Sequence, residues 1–140
     1  MPKTNVDFVD AEMEASAPPL PEPTSEDGNY LDGDWLDALR HRPFTYKEAA
    51  HFLVETFPRA VGLMWCPFVS VTDEISEIHG DVRRVRFATG GWSGAEELIE
   101  IILSHFWMKH FHVLWRAGGL FIFDVPEHDL EAAATKGGDA

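Results

Sequence analysis

Residues 106–125 read FWMKHFHVLWRAGGLFIFDV, and no other stretch of the chain indicates its architecture as strongly. They predict a β-hairpin with arms Phe106 to Arg116 and Leu120 to Val125 around the loop Ala117-Gly118-Gly119. Three-residue loops that contain glycine are common hairpin connections, because glycine adopts the positive φ that the turn requires. We therefore expect two antiparallel aromatic strands at the end of the folded region.

Alternation along the two arms assigns each side chain to one face of the hairpin. On the predicted core side, Trp115 faces Phe121 and Val113 faces Phe123. The same side includes Trp107, Phe111 and Val125. On the predicted outer side, the facing pairs are Arg116 with Leu120, Leu114 with Ile122, and His112 with Asp124.

A helix is expected ahead of the sheet, because Thr45 and Glu48 form a capping-box pattern. In that pattern the N-cap hydroxyl accepts from the N3 amide and the N3 side chain reaches back to the N-cap amide. The helix is predicted to run to about Phe57, since a residue that precedes proline, here Pro58, avoids helical backbone.

A second helix is expected after a glycine-rich turn, Gly90-Gly91-Trp92-Ser93-Gly94. Ser93 and Glu96 repeat the capping-box spacing, and the helix is predicted to run to about His105. Its inner stripe is Leu98, Ile101, Ile102 and His105.

The remaining strands are read from alternation and from breaks in the pattern. Val82 to Ala88 predicts a strand with Val85 and Phe87 on one face and arginines on the other. Residues 61–71 are β-rich but interrupted by Pro67, which predicts one strand on either side of a break. Residues 73–80 are polar and are expected to form a solvated loop.

The fold class that follows is α+β: a small antiparallel sheet of three to four strands with two helices and a disordered acidic N-terminal tail. The predicted organisation is a tail over residues 1–34, one domain over residues 35–126 and a flexible C-terminal tail over residues 127–140. Proline and acidic residues without hydrophobic periodicity indicate the first tail. Trp35, Leu36 and Leu39 have the spacing of one helical turn that docks on the domain.

Charge and composition restrict the classes of function. The 140 residues carry a formal net charge of −13, and the acidity is concentrated in the predicted tails. Such a chain repels nucleic acid, and its apolar runs are shorter than the roughly 20 residues of a membrane span. No secretory signal is recognisable, so the expected location is the cytoplasm. Cys66 is the single cysteine, and we expect it to be a buried structural thiol.

The sequence also resembles a known group of proteins. The resemblance is carried by three stretches: the run Val82 to Ile99 with its Gly-Gly-Trp-Ser-Gly turn, the stretch Phe106-Trp107-Met108 and the hairpin Trp115 to Phe123. They are similar to an uncharacterised family of small bacteriophage and prophage proteins, over roughly residues 70–126. The resemblance implies a phage origin, and with it the host cytoplasm, but no established biochemical role.

Two positions depart from the pattern of that family. Ala95 stands where Asn is expected after Ser-Gly, and Arg116-Ala117-Gly118-Gly119-Leu120 replaces the usual Arg-Arg-Gly-Gly-His. If the Asn or the His performs chemistry in relatives, this chain has lost it.

The glycine-rich turn has two interpretations. Amides at a helix N-terminus bind anions, and Trp92 could stack on a base, so residues Gly90, Gly91, Trp92, Ser93 and Gly94 could hold a nucleotide or another anion. However, Glu96 and Glu97 occupy the first helical turn and repel phosphate. The favoured interpretation is structural, with a sharp chain reversal and Trp92 packed on the sheet.

Histidines offer a weaker indication of metal binding. His110 and His112 would share one strand face, with His105, Asp124 or Cys66 as a third ligand. The spacing matches no recognised zinc site, so packing is the favoured interpretation. We expect no metal and no cofactor, and we find no catalytic constellation, so binding is favoured over catalysis.

A binding surface is the leading hypothesis. Its predicted members are Arg84, Arg86, Trp92, His110, His112 and Arg116. They would form a basic, partly aromatic sheet face that the acidic N-terminal segment could cover. The expected partner is a host protein, with the arginines supplying charge and Trp92 an anchor.

Overall fold

A computed structural model describes residues 17–130 as an α+β fold, which confirms the predicted class. The sheet is antiparallel with the strand order β1-β2-β4-β3. Its strands are β1 (Phe68–Ser76), β2 (Gly80–Ala88), β3 (His112–Arg116) and β4 (Leu120–Pro126).

Helical segments occupy the stretches between the strands and before them. They are α1 (Gly33–His41), α2 (Tyr46–His51), a π-helical turn (Phe52–Thr56), α3 (Phe57–Gly62), α4 (Ser93–Ser104) and α5 (Phe106–His110). Within residues 17–130, none of these helices has the length and apolarity to cross a membrane.

One face of the sheet packs on the helices and forms the hydrophobic core. Phe87 and Phe123 are fully buried on this inner face, where both rings contact Phe57 of α3. Val85 and Val125 share the same core, and α1 adds Trp35, Leu36 and Leu39. The predicted inward side of β2 and the predicted docking turn at residues 35–39 are therefore confirmed.

The capping box at Thr45 is confirmed, but the predicted stop at Pro58 is wrong. Thr45 accepts from the Glu48 amide at 3.2 Å, and Glu48 accepts from the Thr45 amide at 3.1 Å. The helix continues through the π-helical turn, in which the Phe57 amide donates to the Phe52 carbonyl five residues earlier. Proline is tolerated in the first turn of a helix, and Pro58 takes that place in α3.

The predicted capping box at Ser93 is absent. Trp92 is the N-cap of α4 and makes no side-chain capping bond, while the Ser93 hydroxyl lies 3.3 Å from the hydroxyl of Tyr30. Gly90 and Gly91, with φ of 64° and 74°, make the reversal that was predicted for them.

The first hairpin is longer than predicted. Residues 61–62 are helical, and β1 extends from Phe68 to Ser76, so the expected loop at residues 73–80 is mostly strand. Nine pairs join β1 to β2 without a shift, from Phe68 with Ala88 to Ser76 with Gly80. Asp73 and Glu74 face arginines across this pair, so cross-strand ion pairs offset the low strand propensity of acidic residues.

The loop of the second hairpin is confirmed, but its first arm is only half strand. Arg116 pairs with Leu120, Trp115 with Phe121 and Leu114 with Ile122, as predicted. A bulge at Val113 shifts the register, so His112 pairs with Phe123 and not with Asp124. Residues 106–110 form helix α5 instead of strand, because Trp107 packs edge-on against Tyr46 at 5.3 Å.

Both predicted tails are partly ordered. Residues 1–16 and 131–140 lie outside the described residues. The indole of Trp35 donates to the Pro21 carbonyl at 2.8 Å and Leu31 is buried, so residues 17–34 belong to the folded unit. Residues 127–130 are helical, and Asp129 accepts from the Tyr46 hydroxyl at 2.6 Å. Burial, with that bond, raises the pKa of Tyr46 to about 12.

Candidate functional site

The sheet face opposite the core, called here the outer face, carries the predicted arginines. Rows of paired residues cross it, and in the three rows that contain the arginines the side chains lie outside the hydrophobic core. The rows are Thr72, Arg84 and Asp124; Ser70, Arg86, Ile122 and Leu114; and Phe68, Ala88, Leu120 and Arg116. The strand register thus places Arg84, Arg86 and Arg116 on the outer face, as predicted.

Arg84 is already occupied by a carboxylate of its own chain. Its guanidinium makes two bonds to Asp124, at 2.7 and 2.9 Å, and Asp124 is only 6% exposed. The hydrogen bond and the charge of Asp124 raise the pKa of Arg84 above its ordinary value. A bidentate pair of this kind fixes the arginine and neutralises it toward solvent.

Arg86 is engaged in the same way across β1. It donates to the Thr72 hydroxyl at 2.9 Å and lies 3.4 Å from the Glu74 carboxylate. Hydrogen bonds from Thr72 and then Arg86 lower the pKa of Glu74, which keeps this carboxyl ionised. The centre of the outer face is therefore an internally neutralised network and not an open basic patch.

His112 is not on the outer face, because the bulge turns it toward the core side. Its ring lies 5.8 Å from Phe121 and 5.1 Å from Phe123, both of which are on the inner face. Burial lowers the pKa of His112. Its Nε2 has no hydrogen-bond partner within residues 17–130.

The other histidines lie apart from His112. His110 ends α5 and packs against Tyr46 and Trp107, while Nε2 of His105 lies 2.7 Å from the Leu39 carbonyl oxygen. Burial lowers the pKa of His105. Between residues 17 and 130, no three His, Cys, Asp or Glu side chains are grouped so that they could hold a metal ion.

Trp92 lies at the glycine-rich turn, away from the arginines. Its ring packs against Tyr30 at 4.7 Å and Trp65 at 5.6 Å, and its indole donates to the Asn29 carbonyl. The partners of Trp92 come from the segment that was predicted to be a tail and from the loop before β1. The six residues of the predicted surface therefore do not form one patch.

The amides of the turn are also partly engaged. Gly91 donates to the Thr89 hydroxyl and Trp92 donates to the Thr89 carbonyl. Cys66 is half-buried rather than fully buried, and its thiol lies 3.9 Å from the Gly90 carbonyl. These contacts stabilise the reversal and leave fewer free donors for an anion.

Sequence reasoning missed the feature that the structure makes most conspicuous, the edge strand β3. Val113 is 49% exposed, Leu114 39% and Trp115 57%, although Val113 and Trp115 were predicted to lie in the core. β3 pairs with β4 alone in the described sheet, so its second edge is unpaired there. A signal was present in the sequence, because residues 101–123 contain no Asp or Glu in a chain that holds 24 of them.

An open cleft near the β1 edge of the sheet is lined mainly by acidic side chains and histidines. It is lined by Asp73, Glu74, Ile75, His79, Asp81, Val82, Glu127 and His128. Arg83 bonds both Asp73, at 2.9 Å, and Glu127, at 3.0 Å, so these two acids of the cleft are paired internally.

Comparison of the chain with protein-family models, with curated proteins and with solved structures finds no match.

Proposed function

We propose that this protein acts by binding another polypeptide through strand β3 and the adjoining end of the outer face. The observation that carries the proposal is the exposure of three consecutive apolar side chains, Val113, Leu114 and Trp115, on an edge strand. Natural proteins protect such edges with charge or cover, because exposed backbone donors and acceptors invite pairing with another chain.

The chemistry of β3 suits recognition of a strand. Added strands gain affinity from main-chain hydrogen bonds and specificity from alternate side chains. Trp115 offers a large anchor of the type that dominates binding energy at interfaces. Arg116 is exposed beside it and forms no ion pair within residues 17–130, unlike Arg84 and Arg86.

The resemblance to small phage proteins adds the context of this proposal. On that basis the partner is a host protein and the place of action is the host cytoplasm. This part of the proposal rests on the resemblance alone.

The alternative function, a nucleotide or anion module at residues 90–94, gains no support from the contacts of the turn. Two of its amides donate to Thr89, and Glu96 lies exposed in the first turn of α4, followed directly by the exposed Glu97.

Site-specific photo-crosslinking tests the proposed surface. A photoreactive side chain replaces Val113 in one variant and Thr72, on the opposite edge strand, in a matched control. We expect a discrete adduct with a host polypeptide from position 113 and none from position 72. Equal labelling from both positions, or no adduct from position 113, would overturn the proposal.

A further inference from the structure

The unpaired edge of β3 is basic as well as apolar. Within residues 101–123 the charged side chains are Lys109 and Arg116, accompanied by His105, His110 and His112. Neither Lys109 nor Arg116 is ion-paired in the part of the chain that the structure describes. The edge therefore favours an occupant that combines apolar and acidic side chains.

We propose that this occupant is a segment of the same chain, residues 5–10, which adds to β3 as a further strand. The segment reads Asn5-Val6-Asp7-Phe8-Val9-Asp10 and so combines three apolar side chains with two acids. It belongs to residues 1–16, outside the described residues, and the inference rests on its sequence and on the edge that would receive it.

Strand periodicity makes the match specific. Leu114 is the middle residue of β3, and Arg116, two residues further on, shares its outer face, whereas the bulge at Val113 turns His112 toward the core side. If Phe8 lies beside Leu114 on a strand that runs parallel to β3, Asp10 lies two residues further along, beside Arg116. This direction brings a carboxylate to a guanidinium that has no ion-pair partner within residues 17–130.

A second copy of the chain fits the same edge less well. Antiparallel pairing of two β3 strands is symmetric, so it would bring together two edges that each carry Arg116 and no acid. Like charges directly opposite each other destabilise a strand pair.

A series of contacts links the start of the described chain to the helix that leads into β3. The Pro18 carbonyl accepts from Nε of Arg42 at 2.6 Å, and the Arg42 guanidinium lies over the ring of Phe44. That ring packs against His105, the residue before α5, which leads into β3. The seven residues from Asp10 to Ala17 extend up to about 25 Å.

Docking of the segment goes beyond the proposed binding function and needs no partner in the sample. Its failure is therefore distinguishable from failure to capture a host protein. Where both hold, the partner competes with the chain's own segment for one edge.

Amide hydrogen exchange of the full chain tests the inference. We expect the amides of residues 6–9 to exchange at least about tenfold more slowly than in an unstructured peptide, together with slowed exchange on β3. Phe8→Asp should abolish the protection in both places. Met13→Asp is the matched control, with the same kind of change outside the six residues, and should leave it unchanged.

Charge reversal on β3 gives the second arm of the test. Arg116→Glu should speed exchange of residues 6–9, whereas Lys47→Glu, at an exposed position of α2, should not. Exchange of residues 6–9 at the unstructured rate in the wild-type chain would overturn the inference. So would protection of β3 that rises with protein concentration while residues 6–9 stay unprotected, because a second copy would then cover the edge.

Discussion

β1 and β3 are the two edges of one sheet, and they meet solvent in different ways. β1 pairs with β2 over nine residues without a shift, and its charged residues are engaged, Asp73 with Arg83 and Glu74 with Arg86. β3 spans five residues, has a bulge at Val113 and exposes an apolar run. β1 has the charged edge that discourages association, whereas β3 carries no acidic residue.

The two regions differ in whether their polar side chains already have partners within the described chain. Carboxylates engage Arg84 and Arg86 at the centre of the outer face, so a partner would have to break existing bonds to use them. Arg116 and the apolar side chains of β3 can contact a partner without breaking such bonds. Exposure without internal partners, rather than charge alone, is therefore the basis on which we propose β3 as the binding edge.

The largest expected effect tests whether the two hairpins share one core. Phe87 in the first and Phe123 in the second are both fully buried against Phe57. Phe87→Ala and Phe123→Ala should each lower the free energy of unfolding by about 3–5 kcal/mol, measured by urea denaturation. A loss below about 1 kcal/mol at either position would mean that its hairpin packs independently.

The next effect concerns the ion pair that joins the hairpins across β2 and β4. Arg84→Ala leaves the buried Asp124 carboxylate without its two bonds, so we expect a loss of about 1–3 kcal/mol. Arg86→Ala, which removes longer and more exposed contacts, should cost less than about 1 kcal/mol. Equal losses in the same denaturation experiment would show that the Arg84 pair is no stronger than a surface contact.

The tip of the second hairpin provides a smaller test. Gly119 has φ of 88°, and an added Cβ would collide with the Thr89 hydroxyl, whereas Gly118 has φ of 98° and open space. Gly119→Ala should therefore destabilise by about 2 kcal/mol and Gly118→Ala by about 1 kcal/mol. If melting temperatures rank the two variants in the reverse order, the contact of the tip with Thr89 is contradicted.

Lowering the pH should destabilise the second hairpin before the first. This is the smallest of the expected effects. Burial lowers the pKa of His112 in the folded chain, so the unfolded chain binds the proton more readily. Stability from neutral His112 is then lost as the pH falls below about 6.5. The pKa of Glu74 is also lowered. The stability that its ionised carboxylate provides is therefore complete above the ordinary glutamate pKa and is lost only as the pH falls below about 4.5.

Amide exchange at pH 7.5 and pH 5.5 separates the two responses. β3 should exchange faster at the lower pH after correction for intrinsic rates, while β1 should not. His112→Gln should remove the difference on β3, and a pH response that survives in this variant would assign it elsewhere.

Local sequence signals predicted much of the fold. The capping box at Thr45, the Ala117-Gly118-Gly119 loop and the alternation of β2 all appear in the structure, because each depends on a few adjacent residues. Helix α5 was missed because five aromatic-rich residues gain their helical state from packing on Tyr46. The bulge at Val113 was missed for a similar reason, since nothing adjacent marks it.

The candidate site was harder to predict than the fold. Alternation placed Arg84 and Arg86 on the correct face, but their availability depends on Asp124 and Glu74, which are 40 and 12 residues away in the chain. Apolar side chains such as Trp115 were assigned to the core by type, whereas their exposure follows from the position of β3 at an edge. Neither distant pairing nor strand order can be read from local periodicity.

Affinity capture with two matched variants tests most directly whether β3, and not the arginine network, contacts the partner. The bait is the full chain, compared with a Val113→Lys/Trp115→Lys variant and with an Arg86→Gln variant, after thermal melting has shown that both fold. The proposed edge predicts that the first variant loses the partner at least about tenfold and that the second retains it. Retention by the β3 variant with loss by Arg86→Gln would contradict the assignment and return the binding site to the outer face.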